Sequence, residues 1–175
     1  MLRWIILLAA LLASPAIWAQ GWVQSAGTAA DFALAGPKGA ARIVLAPTDA
    51  KVVEHAVRDL AADIARVSGR KPELVTAKEA AAGASAVLVG TLGKSPIADA
   101  LAASGKLDLS FLFGKWESFV IATVEQPMPG VPRALVIIGS DPRGTAFGIY
   151  ELSQAIGVSP WTWWADVVPA RRDAL

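Results

Sequence analysis

Short runs of almost wholly apolar residues limit most strongly how this chain can fold. The run "ARIVLA" (41–46) lies between Gly39 and Pro47, and "SAVLVG" (85–90) is apolar at nearly every position. β-Branched residues bounded by glycine or proline are typical of short strands, and a continuous apolar run is typical of a buried strand. A weaker strand is predicted at "PELVT" (72–76).

Two later apolar runs predict an antiparallel hairpin. They are "ESFVIATV" (117–124) and "RALVIIGS" (133–140), and the segment between them reads "EQPMPGVP". Its prolines and glycine exclude an intervening helix, so we expect a long, loose connection there.

Helices are predicted between these strands. The first carries one apolar stripe whose members recur at steps of four and three residues: Val53, Val57, Leu60, Ile64 and Val67. This spacing lines one face of an α-helix, which Asp49 is expected to cap and Gly69 to end.

Two further helices are predicted from their end signals. Ser95 and Pro96 begin one, and Ser140 or Asp141 caps the other before Pro142. Strands and helices therefore alternate early, and the hairpin comes late. This order predicts an α/β fold, bordering on α+β, with a mixed sheet of about five strands and helices largely on one face.

The N-terminus is a different kind of sequence. Arg3 precedes an uncharged run of about 14 residues that ends in small residues, which fits a secretory signal peptide better than a membrane span. We expect residues 1–19 to be removed after Ala19, with Ala16 as the alternative site, and the protein to be exported. An uncleaved N-terminal anchor is the other interpretation. Residues 20–40 are predicted to be a linker or an irregular strand before a domain at 41–158.

Composition excludes several kinds of chemistry. A net charge of +1 provides no field that attracts nucleic acid, and the absence of cysteine excludes disulfides and Cys/His zinc sites. His55 is the one histidine and lies roughly opposite the apolar stripe of its helix, so a Ser-His-Asp device is not expected. We predict neither a metal nor a cofactor.

The segment "GSDPRGTAFG" (139–148) is a glycine-bearing turn between a strand and a helix. Backbone N–H groups at the helix start, with Arg143 beside them, suit an anion such as a carboxylate. The alternative is ordinary turn chemistry, with Arg143 paired to a neighbouring acid. Glycoside hydrolysis usually needs two carboxylates, and the fifteen acidic residues form no recognisable pair.

The densest aromatic cluster is "SPWTWWADV" (159–167). If this segment is extended, Trp161 and Trp163 share one face and Trp164 lies on the other. Such rings either pack a domain edge or present flat apolar faces to a pyranose ring.

The stretch "GSDPRGTAFGIYELSQAIGVSPWTWWADV" (139–167) resembles the segment by which glycoside hydrolase family 115, the xylan α-1,2-glucuronidases, passes from its N-terminal α/β domain into its catalytic barrel. Family 67 α-glucuronidases and the N-terminal domain of β-hexosaminidases share the general layout. The resemblance implies that 159–175 is a junction to a barrel that carries the catalytic carboxylates. It also implies that Trp161, Trp163 and Asp166 contact the sugar.

Three functions follow as alternatives. The first is the N-terminal domain of an exported α-glucuronidase that releases (4-O-methyl)glucuronic acid from xylan and is inactive as this chain alone. The second is a free-standing carbohydrate-binding module that uses the tryptophan faces. The third is a structural domain that docks on a partner through an exposed tryptophan patch.

Overall fold

The computed structural model describes residues 21–28, 30–80 and 85–175. The predicted signal peptide lies outside these residues. Among the described helices, none combines the length and the apolarity that a membrane span needs.

Strands and helices alternate along the chain as the apolar pattern predicts. The strands are β1 (Ala35–Gly36), β2 (Gly39–Ala40), β3 (Arg42–Leu45), β4 (Leu74–Val75), β5 (Ala86–Thr91), β6 (Phe119–Met128) and β7 (Val131–Gly139). The α-helices are α1 (Lys51–Ser68), α2 (Ala77–Ala80), α3 (Pro96–Ser104) and α4 (Pro142–Ala155), and short 3₁₀ turns occupy Ser110–Leu112 and Pro160–Trp163.

Five strands form one mixed sheet in the order β4-β3-β5-β7-β6. β4, β3, β5 and β7 are mutually parallel, and β6 is antiparallel to β7. β1 and β2 form a separate small antiparallel hairpin. The predicted α/β fold with a mixed sheet of five strands is therefore confirmed.

Both faces of the sheet are covered. Val87 and Val89 of β5 belong to the core shared with α1 and α4, whereas Leu88 belongs to the core shared with α2 and α3. The expected placement of the helices on one face therefore holds for the two long helices only. All six β5 residues are buried, and a strand that is apolar on both sides needs cover on both sides.

Asp49 has a different role from the predicted helix cap. The N-cap of α1 is Ala50, and no side chain caps it. The Asp49 carboxylate instead accepts hydrogen bonds from the Thr91 N–H at 2.9 Å and the Thr91 hydroxyl at 2.8 Å. It therefore links the start of α1 to the end of β5. Gly69 ends α1 as predicted, with a left-handed φ of 75°.

The hairpin between β6 and β7 is tighter than the sequence suggested. β6 continues to Met128 and β7 begins at Val131, so the expected long connection is wrong. Pro127 is accommodated because β6 is an edge strand and its pairing is irregular between Glu125 and Met128. Edge strands and bulges are the places where a sheet tolerates proline.

Close backbone approach joins α4 to the start of β6. At Gly144, an added Cβ would lie 2.9 Å from the backbone nitrogen of Ser118 and 3.0 Å from the carbonyl carbon of Glu117. Both obstacles are backbone atoms, so neither can rotate away. Glycine at this position lets the helix contact the strand.

We expect Gly144→Ala to lower the free energy of unfolding by about 1–3 kcal/mol through overpacking, measured by urea denaturation. Alanine is the better helix former by about 1 kcal/mol, so a loss must come from the contact with Ser118. Gly36→Ala is the control because an added Cβ there meets nothing within 4 Å. Equal stability of the Gly144 variant and the wild type would contradict the close approach.

A hydrogen bond between side chains links α1 to α4. The Tyr150 hydroxyl donates to the Asp59 carboxylate at 2.7 Å. Burial, followed by this bond and the negative charge of Asp59, raises the pKa of Tyr150 to about 12. The neutral phenol is therefore favoured at the helix contact.

Tyr150 is the one tyrosine of the sequence, so ultraviolet absorbance of the phenolate reports it directly. We expect titration near the raised pKa in the folded protein. In Asp59→Asn the pKa falls but stays above the ordinary value, because burial persists. Asp173→Asn serves as the control, with circular dichroism to confirm that the chain is folded. A wild-type titration at the ordinary tyrosine pKa of about 10 would contradict the contact.

Candidate functional site

The tryptophan segment forms a 3₁₀ turn rather than an extended strand. Ser159 caps it by accepting the Trp161 N–H at 3.2 Å, and Pro160 occupies the first position. The Trp164 N–H donates to the Trp161 carbonyl at 3.1 Å and closes the turn.

The turn changes which rings lie together. A 3₁₀ helix has three residues per turn, so residues i and i+3 are aligned. Trp161 and Trp164 therefore lie on one side, and both are exposed, by 64% and 84%. The segment is not extended, so the condition on which Trp161 and Trp163 were expected to share a face is not met. The backbone of Trp163 forms the last residue of the turn.

Asp166 lies where the chain reverses after the turn. Its φ of 50° is left-handed, a conformation that aspartate tolerates better than most residues. The Thr162 hydroxyl donates to the Val167 carbonyl at 3.0 Å across this reversal. Asp166 is exposed, as is Val168 beyond it. Trp161, Trp163 and Asp166 thus belong to one compact surface loop, residues 159–168, here called the tryptophan loop.

The chain returns to the domain after the tryptophan loop. The Arg172 N–H donates to the Val67 carbonyl at 3.0 Å, at the end of α1. The Leu175 N–H donates to Ala35 at 2.9 Å, and the Leu175 carbonyl accepts from Leu34 at 2.8 Å. The Leu175 side chain is buried in the core. The tryptophan loop is therefore held at both ends.

The turn before α4 is organised by Asp141 rather than by Ser140. Its carboxylate accepts backbone N–H groups of Glu117 at 2.6 Å, Gly144 at 2.8 Å and Arg143 at 2.9 Å. Burial opposes ionisation, but these three donors outweigh it and hold the pKa of Asp141 below its usual value. The carboxylate of the chain itself therefore fills the place that an external anion would take.

Arg143 is paired within the domain. Its guanidinium lies 3.0 Å from the Glu117 carboxylate and 5.9 Å from the ring centroid of Phe147. Of the two uses that the sequence allowed, pairing with a neighbouring acid is the one observed. His55 is exposed on α1, as predicted.

A second exposed aromatic segment was missed by the sequence analysis. It lies in "SFLFGKWE" (110–117), before β6, and exposes Phe113 by 63% and Trp116 by 87%. The exposure depends on the burial of Leu109 and Leu112, which no local pattern of the sequence indicates. Both leucines are buried, whereas Phe111 between them is exposed by 51%.

The described ranges contain no group of three or more His, Cys, Asp or Glu residues that could hold a metal ion. They do contain a cleft of about 360 Å³ beside the β1–β2 hairpin, lined by Trp22, Phe32, Leu135 and Leu175 among others. Neither Trp161 nor Asp166 lines this cleft.

Comparison with known proteins gives a relationship to solved structures. No family model and no curated protein matches this chain. A solved structure does match, with 31% sequence identity and a TM-score of 0.65. It is a family GH115 4-O-methyl-α-glucuronidase described as having specificity for decorated arabinogalactans.

The match covers 83% of this chain and 17% of the solved one. This chain therefore spans less than a fifth of the protein that it matches. Over this length it resembles the N-terminal region of a GH115 α-glucuronidase.

Proposed function

We propose that this chain is the exported, non-catalytic N-terminal domain of an α-glucuronidase that removes 4-O-methyl-glucuronic acid side groups from a polysaccharide. The relationship to the GH115 enzyme supports this role. Export rests on the N-terminal sequence, where one cation precedes a short apolar run.

Our proposal specifies the side group of the substrate and leaves its polysaccharide backbone open. The family resemblance implies xylan, whereas the matched enzyme is described as specific for decorated arabinogalactans. A 4-O-methyl-glucuronate side group is the chemistry common to both descriptions. We assign the selection between the xylan and arabinogalactan backbones to the rest of the protein.

The tryptophan loop is the single observation that supports a junction. Trp161 and Trp164 expose most of their surface although the loop is held at both ends. Large apolar rings in such positions are typical of surfaces that another domain or a ligand covers. We propose that a catalytic barrel packs beside this loop, with Trp161, Trp163 and Asp166 at the edge of its sugar pocket.

The first test reads and expresses the coding DNA beyond codon 175. We expect the frame to continue into a barrel, and the longer protein to release 4-O-methyl-glucuronic acid from xylan or arabinogalactan. The 175-residue chain alone is expected to release none. A stop codon at this point, or a longer protein without this activity, would refute the proposed function.

In the longer, active protein, we expect Trp161→Ala to lower kcat/KM by about tenfold, mainly through KM, because one aromatic contact to the sugar is lost. Asp166→Asn is expected to act in the same direction. Val52→Ala is the control, since Val52 is an exposed apolar residue on α1. Unchanged kinetics in both site variants would show that the tryptophan loop does not contribute to the sugar pocket.

A further inference from the structure

The fully buried core described by the structure is built from aliphatic residues, and Phe32 packs against it while partly buried. In the part of the chain that the structure describes, every buried hydrophobic residue is Ala, Val, Leu or Ile. Aromatic side chains usually dominate core energetics, and tryptophan is highly buried on average. Here several described rings, such as those of Phe113 and Trp116, are exposed, which points to contacts outside the domain.

One group of these rings lies far from the tryptophan loop. Residues 110–117, here called the aromatic loop, contact the start of α4 through Glu117 and Asp141. The tryptophan loop follows the other end of this helix. Fourteen helical residues span about 21 Å, so the two loops adjoin opposite ends of this helix.

The aromatic loop is anchored from below. Leu109 and Leu112 are buried, by 98% and 99% of their surface, in the core beneath α3. Backbone N–H groups of Leu112 and Phe113 donate to the carbonyls of Leu109 and Ser110 at 3.0 and 3.2 Å. The Lys115 N–H closes a further turn on Leu112 at 3.2 Å.

The end of the loop is equally well held. The Ser118 hydroxyl donates to the Trp116 carbonyl at 3.0 Å, and the Glu117 N–H is bound by Asp141. Glu117 has a φ of 53°, a left-handed conformation that is costly for glutamate. The exposed rings therefore project from an ordered backbone, and binding would require little further ordering.

The groups between the rings are polar. Lys115 and Glu117 flank Trp116, and Arg143 pairs with Glu117. The core of a protein interface is normally depleted in charged residues, so this mixture does not favour a protein partner. A pyranose ring has apolar C–H bonds on one face and hydroxyls at its edge. Flat rings beside paired charged groups match both features.

We propose that the aromatic loop binds the backbone of a polysaccharide, with Phe113 and Trp116 as the ring contacts. This inference rests on the proposed function and deepens it, because it supplies a second contact remote from the side group that is cleaved. Since Arg143 and Glu117 neutralise each other, recognition depends on ring stacking and hydroxyl hydrogen bonds rather than on uronate charge.

The test measures binding of the 175-residue chain to soluble 4-O-methyl-glucuronoxylan and to glucuronate-decorated arabinogalactan by affinity electrophoresis. We expect one or both to retard the wild type, and Trp116→Ala to weaken the interaction by about tenfold. Phe113→Ala is expected to weaken it less. Retardation persists in about 0.5 M NaCl, where exposed charges are screened.

Trp22→Ala is the control, because Trp22 has the same side chain, is exposed by 51% and lies outside both loops. It should leave binding unchanged. Absence of binding, loss of binding in Trp22→Ala alone, or loss in salt would each overturn the inference. So would wild-type dimers in sedimentation that Trp116→Ala dissociates, since the loop would then join two copies. None of these outcomes alters the test of activity in the longer protein.

Discussion

The ionised carboxylate of Asp141 joins the start of α4 to the segment that precedes β6, and the arrangement of the surface around Trp116 depends on this link. It caps α4 through Gly144, and it binds the N–H of Glu117 in the chain that leads into β6. The helix start and the edge strand are therefore fixed to one side chain. Arg143 and Glu117 face each other because their backbone N–H groups share this acceptor. Trp116, whose ring is exposed, immediately precedes Glu117 in the chain.

Beneath this junction, the core is uniformly aliphatic. β-Branched residues such as Val87 and Ile137 suit a parallel sheet that helices cover on both faces, and small residues such as Gly144 let α4 approach closely. A core of this kind leaves the aromatic residues free for the surface. The same sequence bias thus explains both the closely packed interior and the unusually aromatic exterior.

The fold was predicted well from the sequence where the residues of one helix or strand are sufficient to specify it. The apolar stripe of α1 and the continuous run of β5 are local patterns, and both elements form as predicted. The length of the β6–β7 hairpin was not predictable from composition. Pro127 reads as a loop residue, and it is compatible with a strand only because tertiary pairing places β6 at the sheet edge.

The candidate site was predicted less well. The order Ser159 then Pro160 is a helix-start signal, and weighing it would have predicted the turn that aligns Trp161 with Trp164. The aromatic loop is different, because its exposure depends on the burial of Leu112 against distant strands. The pattern of residues in a single sequence does not indicate a contact between Leu112 and strands that are distant along the chain. The resemblance to GH115 enzymes was confirmed, since it rests on a run of specific residues rather than on one of them.

The docking of Leu175 on Leu34 and Ala35 joins residues that nearly the whole chain separates. Contacts of long sequence separation slow folding, because loop-closure entropy must be lost before they form. During synthesis, the β1–β2 hairpin therefore emerges from the ribosome well before the residue that completes its packing. The domain can reach its final state only after Leu175, and therefore the whole tryptophan loop, has been made.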